Sequence, residues 1–322
     1  MTEGRLTHDS PTLGPHIAAE ALAVLESSDR RFEEILATAT AVRRKLQGDN
    51  ASLCSIMNAK SGLCSEDCIF CAQSTRYNTD IAREPLASAD TIVATYDQAC
   101  GLPIKNFSIV TSGKALGDRE IDVICRAIDQ RRDGRAHWCA SLGTLNREQL
   151  DRLRQAGLSR YHHNLETAES FFANICTTHT YADRVATVRA AMEVGLQVCA
   201  GGLLGLGESP RQRVELALAL SALGVDSIPL NFLVPIANTP AAETPPLDAG
   251  EILRTIAMFR LVCPHTAITI AAGRERRLGG SEELIFAAGA TGMMVGGYLT
   301  VAGRAVSDDL AMLRRAGMTI ER

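Results

Sequence analysis

Short β-rich segments recur eight times along the chain, and longer segments with a helical pattern separate them. The strand candidates are residues 53–57, 107–110, 136–141, 159–164, 196–201, 226–232, 266–271 and 291–296. Parallel strands need a helix-sized connection, so this alternation is typical of a parallel sheet covered by helices. Eight such units predict an α/β fold: a (β/α)8 TIM-type barrel or its open relative, with a doubly wound sheet as the second choice.

Capping residues mark where several of the intervening helices begin. Ser209 followed by Pro210 is an N-cap before a proline at the first helical position. Three further pairs have the spacing of a capping box: Asn146 with Gln149, Thr180 with Asp183, and Asp248 with Glu251. These signals predict a helix after each of the third to sixth strands.

Length and pattern together predict one main domain. The 322 residues allow one large barrel or two ordinary domains, and no interior linker or sequence repeat divides them. Apolar positions at helical spacing within residues 16–46 predict one or two helices outside the barrel. The predicted organisation is an N-terminal tail with helices at 1–45, the barrel domain at 46–317, and a C-terminal tail at 318–322.

Charge and cysteine usage exclude several protein classes. A net charge of −4 gives no sign of a nucleic-acid or membrane partner, and no apolar run reaches the roughly 20 residues of a membrane span. Residues 1–15 are polar and lack the apolar core of a signal peptide. Ten cysteines in a large, otherwise ordinary chain fit metal or thiol chemistry better than a disulfide framework. A cytoplasmic location is therefore expected.

Three cysteines, Cys64, Cys68 and Cys71, lie on one short segment in the spacing C-x3-C-x2-C. Thiolates suit iron–sulfur clusters and zinc. A four-iron cluster held by three cysteines keeps one iron open, whereas a structural zinc needs a fourth protein ligand, and no His or Cys follows closely downstream. The spacing favours a cluster with an open iron; zinc or ordinary loop cysteines remain the alternatives. The segment follows the first strand, which places it at the strand ends where such barrels carry their sites.

With the aromatic Phe70 before the third cysteine, this segment resembles the signature of the radical S-adenosylmethionine (SAM) superfamily. The resemblance implies a catalytic [4Fe–4S] cluster on Cys64, Cys68 and Cys71, with SAM bound to the open iron and cleaved to a 5′-deoxyadenosyl radical. It also implies that Phe70 contacts the SAM adenine. The longer string of residues 58–74 is similar to a sulfur-inserting branch of that superfamily, and the resemblance covers roughly residues 45–317.

Other segments resemble the SAM- and substrate-binding positions of the superfamily. The glycine-rich stretch 201–208, which contains Gly205, resembles the part that binds the adenine. Asn164 and Glu166 match residues that bond the SAM ribose, and Asn164 and Asn231 match residues that contact the substrate. The remaining SAM-binding residues implied by the resemblance are Arg184, Thr111 and Ser112.

The resemblance also implies a second, auxiliary iron–sulfur cluster, of [2Fe–2S] or four-iron type, that donates the sulfur. Cys139 and Cys199 match two of its ligands, but the usual third Cys and the Arg fall on Ser108 and Thr269. Because thiolates are better iron ligands than hydroxyls, Cys176 in the loop after the fourth strand is predicted to help hold this cluster. The alternative for Cys176 is packing under the site. The other cysteines are interpreted as packing residues: Cys54, Cys100, Cys125 and Cys263.

The implied activity is that of a sulfurtransferase that converts dethiobiotin to biotin, with dethiobiotin and SAM as substrates. A flavodoxin or ferredoxin electron donor and a homodimer are implied in the same way. Nearby histidines are expected to be structural: His137, His163 and His179. Two alternatives stay open, namely another radical SAM reaction such as metallocofactor maturation or an isomerisation, and a non-catalytic protein that holds a metal.

Overall fold

The computed structural model describes residues 15–297 and 303–321. The first residues of the predicted N-terminal tail, 1–14, lie outside that description. Two helices come first, α1 (Pro15–Leu25) and α2 (Phe32–Gln47), joined by a short 3-10 turn. They confirm the helices predicted within residues 16–46.

Parallel strands form the centre of the molecule. In chain order they are β1 (Asn50–Lys60), β2 (Asn106–Thr111), β3 (His137–Ser141), β4 (Arg160–His162), β5 (Gln197–Cys199), β6 (Gly202–Leu204), β7 (Ser227–Phe232), β8 (Ala267–Ile270), β9 (Gly292–Met294) and β10 (Thr319–Ile320). Each of the eight predicted segments overlaps one of these strands, and β1 and β2 extend beyond their predicted bounds. The two strands not predicted as separate elements are β6, directly after β5, and β10.

Helices connect the strands. They are α3 (Ala89–Ala99), α4 (Asp118–Gln130), α5 (Arg147–Ala156), α6 (Glu169–Phe172), α7 (Tyr181–Glu193), α8 (Pro210–Leu223), α9 (Ala249–Val262), α10 (Arg274–Arg277), α11 (Leu284–Ala287) and α12 (Val306–Arg315). The predicted capping residues begin α5, α7, α8 and α9, and in each the N-cap side chain accepts a hydrogen bond from the third residue of the helix. No helix in the described ranges is long and apolar enough to cross a membrane.

The sheet closes into a barrel because β1 pairs with β2 on one side and with β9 on the other. Between them the order runs β2, β3, β4, β5, β7, β8 and β9. Only one residue pair joins β5 to β7, Cys199 with Ser227, and β6 continues the pairing with β7 beyond it. This closure confirms the (β/α)8 TIM-type barrel and excludes the doubly wound sheet.

The C-terminal residues differ from the prediction. The segment predicted as a tail at 318–322 includes β10, which pairs in parallel with the start of β1 through Asn50 and Thr319. Backbone amides of a strand edge favour pairing wherever a chain end can reach them, which no side-chain pattern signals in two residues. At the other end of the chain, α1 packs on α8 and α9, and α2 packs on α9.

The main apolar core lies between the barrel and its helices. Tyr96 of α3 stacks on Trp138 of β3 with ring centroids 4.1 Å apart, and Phe107 of β2 meets both rings edge-on. Burial of each large apolar side chain stabilises the fold by about 1.5–3 kcal/mol. Because side chains alternate along a strand, the neighbours of Phe107 and Trp138, namely Ser108 and Cys139, face the barrel interior.

Candidate functional site

The loop after β1 brings its three cysteines together. The loop folds back on itself: the Cys64 amide donates to the Gln73 carbonyl at 3.1 Å, and the Thr75 amide donates to the Cys64 carbonyl at 2.8 Å. Cys64 and Cys68 are buried, and Cys71 is more exposed. Burial raises the pKa of Cys71 to about 11, and the neighbouring Cys64 thiol adds to that rise. Three thiols on one mostly buried loop form a donor set suited to a cluster.

A second loop, residues 173–180 between α6 and α7, packs directly on the cysteine loop. The carboxylate of Asp67 accepts hydrogen bonds from the amides of Thr177 at 2.9 Å and Thr178 at 3.2 Å. Burial would raise the pKa of Asp67, but the hydrogen bonds from Thr177, Cys176 and Thr178 outweigh it and hold that pKa well below its usual range. The ionised Asp67 therefore fastens the two loops together.

Cys176 lies with the loop cysteines, which corrects the expectation that it joins Cys139 and Cys199. Its Sγ atom is 3.8 Å from the Sγ atom of Cys68, and it also contacts the carboxylate of Asp67 at 3.3 Å. The physical reason is the clamp formed by the hydrogen bonds from Thr177 and Thr178 to Asp67, which holds residue 176 next to residue 68. Cys139 and Cys199 instead belong to strands inside the barrel.

His179, which the sequence analysis left out of the site, lies beside Cys176 and Glu66. Its Nδ1 atom is 2.5 Å from Glu66 Oε2 and 3.2 Å from Cys176 Sγ, and its Nε2 atom accepts a hydrogen bond from Arg184 Nε at 3.1 Å. Burial and the Arg184 charge lower the pKa of His179, so the ring is neutral with its proton on Nδ1, donated to Glu66. Cys68, Cys176 and His179 are close enough to share a metal ion. Cys176 and His179 are three residues apart, but Cys68 lies 108 residues before Cys176, so no local spacing would have revealed the whole group.

A cavity of about 340 Å³ opens beside Cys71 at the C-terminal ends of the strands. Four other residues predicted for the site line it: Phe70, Asn164, Glu166 and Asn231. Most of the remaining wall is apolar and includes Ile56, Leu203, Phe232, Leu233, Val234 and Met294. The structure thus brings together one cysteine of the loop and the residues predicted to bind SAM and substrate.

Glu166 is held in an unusual backbone conformation at the edge of this cavity. Its φ angle is +69°, in the left-handed region that side-chain-bearing residues rarely adopt. The Leu203 amide donates to the Glu166 carbonyl at 2.8 Å, and a Cβ atom at Gly202 would lie 2.4 Å from that carbonyl oxygen. Glycine at position 202 is therefore required for this approach. Backbone strain of this kind costs about 1–3 kcal/mol and clusters at functional sites.

Arg184 supports the polar wall and does not line the cavity. Its guanidinium donates to the Asn164 carbonyl at 2.9 Å and lies 3.7 Å from Glu166 Oε1. Burial raises the pKa of the Glu166 carboxyl, and the Arg184 charge opposes that rise. Arg184 is therefore a positioning residue that connects Asn164 and Glu166 with His179.

Gly205 lies in a turn that is closed by Glu208. The Glu208 carboxylate accepts hydrogen bonds from the amides of Gly205 at 2.9 Å and Leu206 at 2.7 Å, and it pairs with Arg213 at 2.8 Å. The amide of Gly205 is used inside the turn, and Leu203 lines the cavity in its place. The glycine-rich stretch therefore shapes the site through Gly202 and Leu203.

Thr111 is the last residue of β2, and Ser112 follows it beneath the cysteine loop. The Ser112 hydroxyl donates to the carbonyl of Gly62 at 2.5 Å, which ties down the start of the loop. The Thr111 hydroxyl is buried and has no hydrogen-bond partner in the described part of the chain. Neither residue lines the cavity described above, so the structure does not bring the two residues to the predicted SAM site.

A separate group of cysteines lies inside the barrel. Cys139 is the register partner of Ser108 on β2, and Cys199 is the partner of His162 on β4. Burial raises the pKa of the Cys139 thiol, and the nearby Cys54 and Cys199 thiols add to that rise. Burial also raises the pKa of Cys199, and Cys54 of β1 adds to it. The sequence predicts packing for Cys54, because a lone cysteine in a strand is most often a small buried hydrophobe.

Sequence comparison identifies the enzymes that this chain resembles. The profile of the Radical SAM superfamily matches residues 60–220, and that of the Biotin and Thiamin Synthesis associated domain matches residues 229–319. The biotin synthase of Maridesulfovibrio salexigens is 51% identical over 301 residues, which cover 93% of this chain and 92% of that protein. The chain belongs to the biotin synthase family. The biotin synthase of Trichlorobacter lovleyi is 47% identical, with 95% of this chain and 93% of that protein covered.

Solved structures place this biotin synthase family member on a widely used scaffold. A methylornithine synthase superposes with a TM-score of 0.82, covering 98% of this chain and 96% of that chain at 18% identity. A maturase of the [FeFe]-hydrogenase superposes with a TM-score of 0.77, covering 94% of this chain and 74% of that chain at 16% identity. At such low identity these likenesses show the fold alone.

Proposed function

We propose that this protein converts dethiobiotin to biotin by radical SAM sulfur insertion. The observation that carries the proposal is the cavity in which Phe70 and Cys71 of the cysteine loop face Asn164, Glu166 and Asn231. A cavity at the strand ends with the cysteine loop on one side and polar side chains on the other could hold SAM and a small substrate side by side. Membership of the biotin synthase family supports dethiobiotin as that substrate.

The residues of the cysteine loop fit the cofactor that the family implies. Cys64, Cys68 and Cys71 would hold a [4Fe–4S] cluster, since their thiols interact electrostatically and Cys71 borders the cavity. When bound, the cluster and SAM supply the electron and the 5′-deoxyadenosyl radical that activate a carbon–hydrogen bond. The clamp between Asp67 and Thr177 keeps the loop in place.

The polar wall of the cavity would orient the bound molecules. The Glu166 carboxylate has the acceptors to bond two hydroxyls of a ribose, and Asn164 and Arg184 fix its position. Asn231 accepts a hydrogen bond from the Ala272 amide at 3.1 Å and donates to the Gly202 carbonyl at 3.3 Å. It therefore holds the strand ends around the cavity together while its face remains available to the substrate.

The apolar wall has a second task, which is to exclude water. Ile56, Leu203, Phe232 and Met294 border the cavity. A radical reaction must be kept from side reactions, and closure by apolar side chains is the means available to the protein. Dethiobiotin is itself largely aliphatic and would bury apolar surface against this wall.

Four finer points belong to the same proposal. The auxiliary centre that donates sulfur is an iron–sulfur cluster of [2Fe–2S] or four-iron type. The electron donor is a flavodoxin or ferredoxin, the enzyme is a homodimer, and it works in the cytoplasm. The ten free cysteines support a reducing environment, in which such centres survive.

Anaerobic turnover tests the function directly. The reconstituted protein is mixed with dethiobiotin, SAM and a low-potential reductant, and biotin and 5′-deoxyadenosine are measured by mass spectrometry. Biotin formed together with 5′-deoxyadenosine is the expected result. Cys71→Ala is the matched control and should give neither product.

Two outcomes would contradict the proposal. If 5′-deoxyadenosine formed without biotin, the chain would carry out another radical SAM reaction on this scaffold. If cluster-loaded protein cleaved no SAM, the cysteine loop would hold a metal without catalysing this chemistry.

A further inference from the structure

We propose that Cys54, Cys139 and Cys199 are the three thiolate ligands of the auxiliary centre. In this arrangement Cys54 on β1 takes the role of the cysteine that the usual form has at the position of Ser108 on β2. The inference rests on the proposed function and specifies the ligands of its sulfur-donating centre. It replaces Cys176, which lies with the loop cysteines.

One asparagine connects two of these thiols across adjacent strands. Asn106 is the register partner of Cys54, and its Nδ2 atom lies 3.4 Å from Cys54 Sγ. Its Oδ1 atom lies 3.9 Å from Cys139 Sγ. A single amide group therefore bridges β1, β2 and β3, and both thiols point to the same region of the barrel interior.

The third thiol reaches that region from the far side. Cys139 is fully buried and Cys199 nearly so, and their strands flank β4, on which Arg160 is the register partner of Cys139 and His162 that of Cys199. The Cys54 thiol raises the pKa of both Cys139 and Cys199. The three thiols enter the barrel interior from β1, β3 and β5 and face a common region. A cluster requires ligands arranged in this way.

Charge at this point also fits a metal centre. Arg160 on β4 is the register partner of Cys139. Burial raises the pKa of all three thiols, and the positive charge of Arg160 opposes that rise. Deprotonated ligands buried without a cation would be costly. Next along β4, the Nε2 atom of His162 is buried and has no hydrogen-bond partner in the described residues.

The remaining cysteines cannot supply the third thiolate. All ten lie in the described ranges. Cys125 belongs to α4 and Cys100 ends α3, both outside the barrel. Cys263 ends α9 and donates to the Ala217 carbonyl of α8 at 3.5 Å. Cys64, Cys68, Cys71 and Cys176 lie together on the two packed loops. Cys54 is therefore the one cysteine left that faces Cys139 and Cys199.

Ser108 provides an internal test of this assignment. Its hydroxyl is buried, without a partner among the described residues, and its register partner on β3 is Cys139. A thiol at position 108 would face the same region from the next strand. The variant Ser108→Cys should therefore replace a thiolate lost at position 54.

The experiment uses the full chain with the loop site removed. A variant that combines Cys64→Ala, Cys68→Ala and Cys71→Ala is reconstituted with iron and sulfide, so that only the auxiliary centre binds metal. We expect it to retain iron and visible absorption, and we expect Cys54→Ala in that background to reduce iron to the level of unreconstituted protein. Cys125→Ala in the same background is the control and should retain the iron. Circular dichroism verifies that each variant is folded.

Adding Ser108→Cys to the Cys54→Ala variant should restore the iron, which also shows that the loss is not caused by a damaged strand. Iron and sulfide contents that Cys54→Ala leaves unchanged would overturn the proposal. So would a failure of the variant without the three loop cysteines to bind any iron. If the variant that carries both Cys54→Ala and Ser108→Cys folds but binds no iron, the proposal would be overturned too. Biotin formation by the wild-type chain is measured in parallel: its absence, with iron still bound through Cys54, would refute the proposed function and leave the metal centre standing.

Discussion

The two groups of cysteines in this barrel are built in opposite ways. The loop group lies on irregular backbone, with left-handed φ angles of +69° at Gly62 and +57° at Leu63, and hydrogen bonds from a second loop hold it. The interior group consists of single residues on regular strands, with β1, β3 and β5 each contributing one. The comparison teaches that local spacing can bring one group of cysteines together, while the pairing of neighbouring strands assembles the other.

Removing a loop cysteine tests the stronger side of this comparison. Cys64→Ala, Cys68→Ala or Cys71→Ala should reduce SAM cleavage to the background rate, since no replacement thiolate is available in the same spacing. The measurement is 5′-deoxyadenosine formed by anaerobically reconstituted protein. Near wild-type product from any of the three would show that the loop does not hold the catalytic cluster.

Removing an interior cysteine should separate the two groups functionally. Cys139→Ala or Cys199→Ala should stop biotin formation while SAM cleavage continues, because the loop group remains intact. Both products are measured in the same reaction, and folding is verified by circular dichroism. Loss of both activities in a folded variant would mean that the two groups are not independent.

The contact between Glu66 and His179 is expected to have a smaller effect. His179→Ala removes a partner of Glu66 and of Arg184, which orient the cysteine loop and the polar wall. Groups that orient ligands typically change metal affinity by about 10–100-fold. The expected result is faster loss of loop-site iron to a chelator, followed by absorbance. His265→Ala, at an exposed position outside the site, is the control; equal rates for the two variants would contradict the role of His179.

Cys176→Ala should have the smallest effect and sharpens the boundary between the groups. Cys176 lies beside Cys68, so its removal should leave the iron of the interior group unchanged and biotin formation close to wild type. Iron and sulfide per chain are measured in the protein that lacks the three loop cysteines. A fall in that iron would return Cys176 to the auxiliary centre.

Much of the fold was predictable because it is locally encoded. Asn146 and Thr180 cap their helices as predicted, and each strand candidate overlaps a strand. The clamp made by Asp67 and Thr177 was not predictable, since its partners lie 110 residues apart. It is this clamp that places Cys176 beside the loop and away from the barrel interior.

The sequence by itself determined the barrel, the cysteine loop and the cavity residues such as Asn164 and Glu166. Periodicity, capping and the C-x3-C-x2-C spacing each involve residues a few positions apart, so they can be read from the sequence alone. Only the tertiary structure decided which distant side chains meet: Cys54 with Cys139 across Asn106, and His179 with Glu66. Strand register and loop packing set those distances: β2 pairs with β1 and β3, and the loop after α6 packs on the cysteine loop.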